Sequence, residues 1–266
     1  MNMSALGFAT FEHQDSEITH TVYVKGSGPA VVLMHEVSGM TPECITLARR
    51  LAVDGFRVYC PLLFGRPGQD KGWRPVLSRG VRREFLLSAS RESAPITGWL
   101  RSLCRRAWDE TNRPAVEGVG VIGMGLTGGF VLSMMADEWV LAPVASQPSL
   151  PLFKRRSLGV SDGDLGRAKQ RAREGVPILA LRFSGDLICP GQRFDRLKQE
   201  FKSDLETIVI DSSQGNSHGI RRRAHSVLTA DFRGEAEHPT RKAYDRVVQF
   251  MKSQVRRHRA SSPMLP

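Results

Sequence analysis

Val119-Gly120-Val121-Ile122-Gly123-Met124-Gly125-Leu126-Thr127-Gly128-Gly129 is the stretch on which the fold turns. An apolar strand-like run enters a glycine cluster, and a helix-like run, Phe130-Val131-Leu132-Ser133-Met134-Met135, leaves it. A strand-to-helix turn of the form G-x-Nuc-x-G holds a nucleophile at a strained apex, with small residues on either side so that the chain can turn tightly. With Gly123 as the first glycine, the apex falls on Gly125, which has no side chain. The nucleophile position is present and the nucleophile is not.

Two other readings fit the same glycines. Gly123, Gly125 and Gly128 satisfy G-x-G-x-x-G, a dinucleotide-binding fingerprint. That fingerprint normally opens the first βαβ unit and is followed, roughly 20 residues on, by an acidic ribose ligand. Here it lies near mid-chain, and the next apolar run, residues 140–144, ends in Ala145-Ser146-Gln147. The remaining reading is a tight helix–strand packing turn without chemistry.

Outward from this stretch, apolar runs and helical patterns alternate. Strands are expected at 21–24, 30–34, 56–60, 140–144, 176–183 and 206–210. Helices are expected at 42–53, 163–174 with Asp162 as N-cap, 190–201 and 239–252. A stretch at 81–110, broken at Ala94-Pro95, suggests two further helical pieces carrying Trp99 and Trp108. Strands that are continuous apolar runs, separated by helices, imply a mostly parallel sheet covered on both faces. The class is α/β, in one domain over residues 15–252, with an N-terminal extension at 1–14 and a basic, disordered tail at 253–266.

The 266 residues are 41% hydrophobic with mean hydropathy −0.26, and no apolar run reaches the length of a membrane span. The N-terminus lacks the basic and apolar regions of a secretory signal, which points to the cytoplasm. Cys44, Cys60, Cys104 and Cys189 are scattered, so neither a zinc site nor a disulfide framework is expected. The net charge of +11 raises nucleic-acid binding, but the arginine pairs are spread along the chain without interleaved aromatics. A solvated basic surface is expected instead, with no nucleic-acid or membrane partner, no metal and no cofactor.

Beyond the apex, Asp186 is the first acid after a buried strand, in Arg182-Phe183-Ser184-Gly185-Asp186. It lies past the strand's carboxyl end, where functional groups gather in open α/β sheets. The next strand leads into Asp211-Ser212-Ser213-Gln214-Gly215-Asn216-Ser217-His218-Gly219, which places His218 in a small-residue loop suited to a general base. His225 competes with it; its position suggests a residue that caps or packs against the following segment. Glu36, ending an apolar strand beside His35, must be paired or shifted in pKa.

At this point the chain resembles the dienelactone hydrolase family of the α/β-hydrolase superfamily. The apex resembles that family's G-x-C-x-G-G, with Thr127-Gly128 in place of the glycine pair. Met34-His35-Glu36-Val37-Ser38-Gly39 is similar to its early glutamate motif. Gly185-Asp186 through Pro190 resembles the acid loop, and Gly215 through Gly219 the histidine loop. The likeness covers roughly residues 15–252. It implies hydrolysis of an ester or lactone bond. Asp186 would orient His218 as the base, and Glu36 would contact the nucleophile. The backbone N–H groups of Val37 and Leu126 would form the oxyanion hole. The family's nucleophile is a cysteine, and Gly125 stands there. Thr127 would point away from the pocket, and Ser38 is disfavoured as a substitute. The alternative is a non-catalytic protein of the same fold holding a small ester, lactone or carboxylate, with Arg182, Arg221 and Arg222 as possible carboxylate partners.

Overall fold

The computed structural model describes residues 1–70, 95–111, 118–149 and 155–255. Among them eight strands form one sheet in the order β1-β2-β4-β3-β5-β6-β7-β8. The strands are β1 (Ala9–Asp15), β2 (Ile18–Lys25), β3 (Ala30–Met34), β4 (Arg57–Pro61), β5 (Val119–Met124), β6 (Val140–Ser146), β7 (Ile178–Phe183) and β8 (Leu205–Ile210). The helices are α1 (Pro42–Val53), α2 (Pro95–Thr111), α3 (Val131–Met134), α4 (Asp162–Arg173), α5 (Gly191–Phe201) and α6 (Pro239–Gln254). The β1–β2 and β2–β4 pairs are antiparallel and the other five pairs are parallel. The expected α/β class is the observed one.

Alternation along β3 shows why the sheet is two-sided. Ala30, Val32 and Met34 join one apolar cluster, with side chains of α2, α3, α4 and α5. Val31 and Leu33 join the other, with α1 and α6. All five are buried, as a strand covered on both faces requires. At α1, Thr41 caps the first turn by accepting from Cys44 N at 3.3 Å, Pro42 follows it, and Ile45, Leu47, Ala48 and Leu51 form the buried stripe.

Three expectations change. The N-terminal extension contributes residues 9–14 to β1 (Ala9–Asp15), paired along its length with β2, so this segment extends the sheet. The N-cap of α4 is Ser161, whose Oγ accepts from Asp164 N at 3.2 Å, and Asp162 is the first helical residue. The helix after the glycine cluster is shorter than its pattern suggests. Gly125–Phe130 forms a 3-10 turn and the α-helical part is only Val131–Met134. The first helical piece expected before Ala94 lies outside the described residues, as does the tail from 256.

Candidate functional site

Register brings the site together. In the parallel sheet Met34 lies beside Gly123, and Gly123 beside Ala145. Two residues further along each chain, Glu36, Gly125 and Gln147 stand side by side at the carboxyl edge of β3, β5 and β6.

The glycines of the elbow have different duties. A Cβ on Gly123 would fall 2.5 Å from the carbonyl oxygen of Thr127, and one on Gly128 would lie 3.0 Å from Pro148 Cα and Ser146 O. Both are glycine because the turn is packed against itself and against the end of β6. Gly125 is different. Its φ of +59° is the left-handed conformation of an elbow apex, yet a Cβ there would meet only ordinary contacts: His225 Nε2 at 3.6 Å and Glu36 Cγ at 3.7 Å. Space for a side chain exists at the apex. Thr127, as expected, turns away: its Oγ1 accepts from Met124 N at 2.9 Å and lies 3.2 Å from the carbonyls of Met34 and His35, tying the elbow to the end of β3.

Asp186 sits in the turn after β7, 3% exposed. Its Oδ1 accepts from Ile188 N at 2.8 Å and Cys189 N at 3.0 Å, which fixes the carboxylate, and Oδ2 accepts from a histidine Nδ1 at 2.7 Å. That histidine is His225. His218 is elsewhere: it is exposed, and its ring packs edge-on against His238 with centroids 5.5 Å apart. The pairing of Asp186 with His218 is therefore corrected to Asp186 with His225.

The physical cause lies in residues 211–224. The side chain of Asn216 donates to the carbonyls of Ser213 (2.9 Å) and Ile220 (2.7 Å) and accepts from Ile220 N (2.9 Å), closing 213–220 into an outward turn. Gly215 and Gly219 supply its positive φ angles of 80° and 63°. The chain returns where the carbonyl of Arg222 lies against Gly185, at a point no Cβ could share. Ala224, Val227 and Leu228 then anchor the segment in the core at 0% exposure, and His225 is held among them. Asp231 secures it from below, with Oδ2 accepting from His225 N at 2.9 Å and Ser226 N at 3.2 Å and Oδ1 from Arg221 at 2.6 Å.

Glu36 is the second charged group at the apex. Its Oε1 accepts from Gln147 Nε2 at 2.8 Å and Thr229 Oγ1 at 2.9 Å, and its Oε2 from Ser226 Oγ at 2.9 Å. Gln147 is fully buried with φ +35°, a strained conformation for a residue with a side chain. Its Oε1 accepts from Ser146 Oγ, which fixes the amide with its NH2 toward Glu36. Sequence reading passed over Gln147, Ser226 and Thr229. Burial raises the Glu36 carboxyl above its ordinary value, with His225 and the Thr229 and Ser226 hydroxyls pulling it part of the way back. For His225, burial lowers the imidazole pKa, but the hydrogen bond and charge of Asp186, helped by Glu36 and Asp231, outweigh it and raise the net value.

The remaining candidates fall outside this cluster. All four cysteines are free and buried, and burial pushes each thiol up, Cys60 and Cys189 to about 12, so none is a ready thiolate. Arg182 donates to the carbonyls of Ser184 (3.0 Å) and Asp186 (3.4 Å) beneath the turn, and Arg221 is engaged by Asp231. Neither carries its charge to Gly125. Among the described residues no group of three or more His, Cys, Asp or Glu is arranged to hold a metal, and no helix is long and apolar enough to cross a membrane. The elbow leads into a four-residue α-helix with the end of β6 packed on Gly128, which is poor ground for a pyrophosphate.

A family model for the dienelactone hydrolase family matches residues 19–255. The chain belongs to the dienelactone hydrolase family. Solved structures share the fold at low identity. A dienelactone hydrolase from Anabaena variabilis superposes with a TM-score of 0.58 at 17% identity, over 94% of this chain and 98% of that one. A dienelactone hydrolase-like promiscuous phosphotriesterase from metagenomic libraries gives 0.62 at 16%, over 93% and 98%. The acylaminoacyl peptidase of Pyrococcus horikoshii gives 0.58 at 14%, over 96% of this chain and 43% of the peptidase. No curated protein matches the sequence.

Proposed function

We propose that this protein is a dienelactone hydrolase-like hydrolase of ester or lactone bonds in which water replaces the side-chain nucleophile. One observation carries the reading: His225 Nε2, its other ring nitrogen held by Asp186, lies 3.6 Å from the point where a Gly125 side chain would begin, with the Glu36 methylenes at 3.7 and 3.9 Å. A water there would lie within reach of the imidazole nitrogen, which is able to take its proton. The N–H groups of Val37 and Leu126, after β3 and in the 3-10 turn, would receive the developing oxyanion, a contribution of roughly 3 to 4 kcal/mol per donor. Hydrolases deprived of their triad retain about 10³- to 10⁴-fold over the uncatalysed rate, and that is the scale expected here. The four reduced, buried cysteines suit a cytoplasmic setting.

The test is hydrolysis of p-nitrophenyl acetate by the protein as it stands, by Gly125→Cys, and by Gly125→Cys/His225→Ala. Slow turnover in the first, a gain of orders of magnitude in the second and its loss in the third support the proposal. A correctly folded Gly125→Cys with no gain would show that the site is misplaced. Binding of small esters or carboxylates without turnover by the unaltered protein would favour the non-catalytic alternative.

A further inference from the structure

Away from the elbow, a cavity of about 210 Å³ opens between the outward turn 213–220 and the segment that leads from the 225–231 loop into α6. Its charged and titratable lining is His218, Arg221, Asp231, Arg233, Glu235 and His238. We infer that this cavity is a binding site for a small tetrahedral oxyanion, a phosphate or a phosphate monoester. Glu36, Gly125 and His225 do not line it, so it is separate from the apex.

Donors outnumber acceptors in this lining. Asp231 has both oxygens committed: Oδ1 accepts from Arg221 at 2.6 Å, and Oδ2 from His225 N at 2.9 Å and Ser226 N at 3.2 Å. Arg233 is exposed, its guanidinium donates to the carbonyl of Phe232 at 3.2 Å, and it forms no ion pair among the described residues. A guanidinium carries five N–H donors and no acceptor, so most of that fork is left for an anion in the cavity. His238 is fixed as a donor by its place in the chain. As N-cap of α6 it accepts from Thr240 N through Nδ1 at 3.3 Å, which puts the proton of the neutral ring on Nε2. Burial, then the neighbouring His218 and Arg233, hold its pKa below the ordinary value against the pull of Glu235, and so favour that neutral form. The positive end of the α6 dipole lies at the same residue.

The His218 ring meets that of His238 edge-on, with centroids 5.5 Å apart. Two guanidinium groups and two imidazoles, carried on separate stretches of chain, suit the several oxygens of a tetrahedral anion. Glu235 opposes them from an exposed position, where solvent and salt screen it. Drug-sized pockets run to roughly 300 to 1,000 Å³, so this smaller cavity restricts the ligand to an anion of few heavy atoms.

Calorimetric titration of the full chain with inorganic phosphate, at fixed ionic strength, is expected to give one site with a Kd of about 1 mM or tighter. Arg233→Gln should weaken binding about tenfold or more, since the charged fork is lost. Glu235→Gln should tighten it about two- to threefold, because the opposing charge goes while the cavity stays. Arg223→Gln removes an exposed arginine of the same segment that lies outside the cavity, and should leave binding within about twofold. Glycerol 3-phosphate is the second ligand: tighter binding than inorganic phosphate supports a monoester site, and weaker binding a site for the free ion. No binding of either ligand at millimolar concentration would overturn the proposal. So would weaker binding in Glu235→Gln, or equal losses from Arg233→Gln and Arg223→Gln, which would show diffuse attraction to a basic surface. Should Arg233→Gln fail to fold, the signs of the Glu235→Gln and Arg223→Gln effects decide. Ester hydrolysis enters none of these measurements, so the site stands or falls apart from the hydrolytic reading.

Discussion

Gly125 combines two properties that oppose each other. Its φ of +59° favours glycine, and the space its Cβ would enter is open. A cysteine placed there takes up the left-handed conformation at a cost of about 1 to 3 kcal/mol while gaining a nucleophile beside His225. Gly125→Cys is therefore expected to be less stable by that amount in urea unfolding and much faster on activated esters. A variant that gained stability would mean that the apex is not strained. The same residue-level logic separates the histidines. In the Gly125→Cys background, His225→Ala should abolish the gain, whereas His218→Ala should leave it within about twofold. His218 is exposed, with its ring packed edge-on against that of His238, and surface changes of that kind carry small energies. Equal losses from both would contradict the Asp186–His225 pairing.

At the scale of elements, the loop 225–231 is one device. It carries His225, both hydroxyls that hold Glu36, and Asp231, which binds the loop's own backbone. Asp231→Ala leaves the N–H groups of His225 and Ser226 without their acceptor and releases Arg221, an expected loss of roughly 1 to 3 kcal/mol. Because His225 and the hydroxyls that hold Glu36 would shift together, activity should fall by more than the stability change alone explains, read as kcat at a temperature where the variant is fully folded. Asn216→Ala, which undoes only the outward turn, should leave kcat unchanged. This loop also marks where the sequence stopped being legible. Buried strands announce themselves by continuous apolar runs, which was enough for the fold; the acid after a buried strand led to Asp186, which lies against a histidine, and the charge at a strand end led to Glu36, which lies beside Gly125. The choice of His218 followed loop composition, but what positions a histidine here is anchoring. Residues 211–223 contain only one aliphatic side chain, Ile220, whereas Val227 and Leu228 follow two and three residues after His225. Gln147 could not be found in this way, since its role comes from parallel register between β5 and β6, which no local pattern encodes.

Over the whole molecule, the end of β3 links the site to global stability through His35. Its Nδ1–H donates to the Glu36 carbonyl at 2.8 Å and its Nε2 accepts from Leu63 N at 3.1 Å, so the fold uses the neutral ring, and burial lowers its pKa from 6.5 to about 4. Above 6.5 the ring is neutral whether the chain is folded or not, and it adds no pH dependence. As pH falls from 6.5 toward 4 the unfolded chain takes up a proton that the folded one refuses, and stability declines, by roughly 3 kcal/mol when complete. Glu36 next to it works in the opposite direction. Its raised pKa makes the folded chain the better proton acceptor, so its contribution is greatest at low pH and is lost as pH rises through the folded value. The net profile mixes the two, and a variant is needed to separate them. His35→Asn keeps a donor for the Glu36 carbonyl and removes the titrating ring, at a constant cost of about 1 to 3 kcal/mol for the orphaned Leu63 N–H. The stability difference between the two proteins, measured by urea unfolding from pH 7.5 to 4, should therefore shrink as pH falls, because only the unaltered chain loses the histidine contribution. A difference that stays constant across that range would mean that His35 titrates alike in both states and that the end of β3 is open to water.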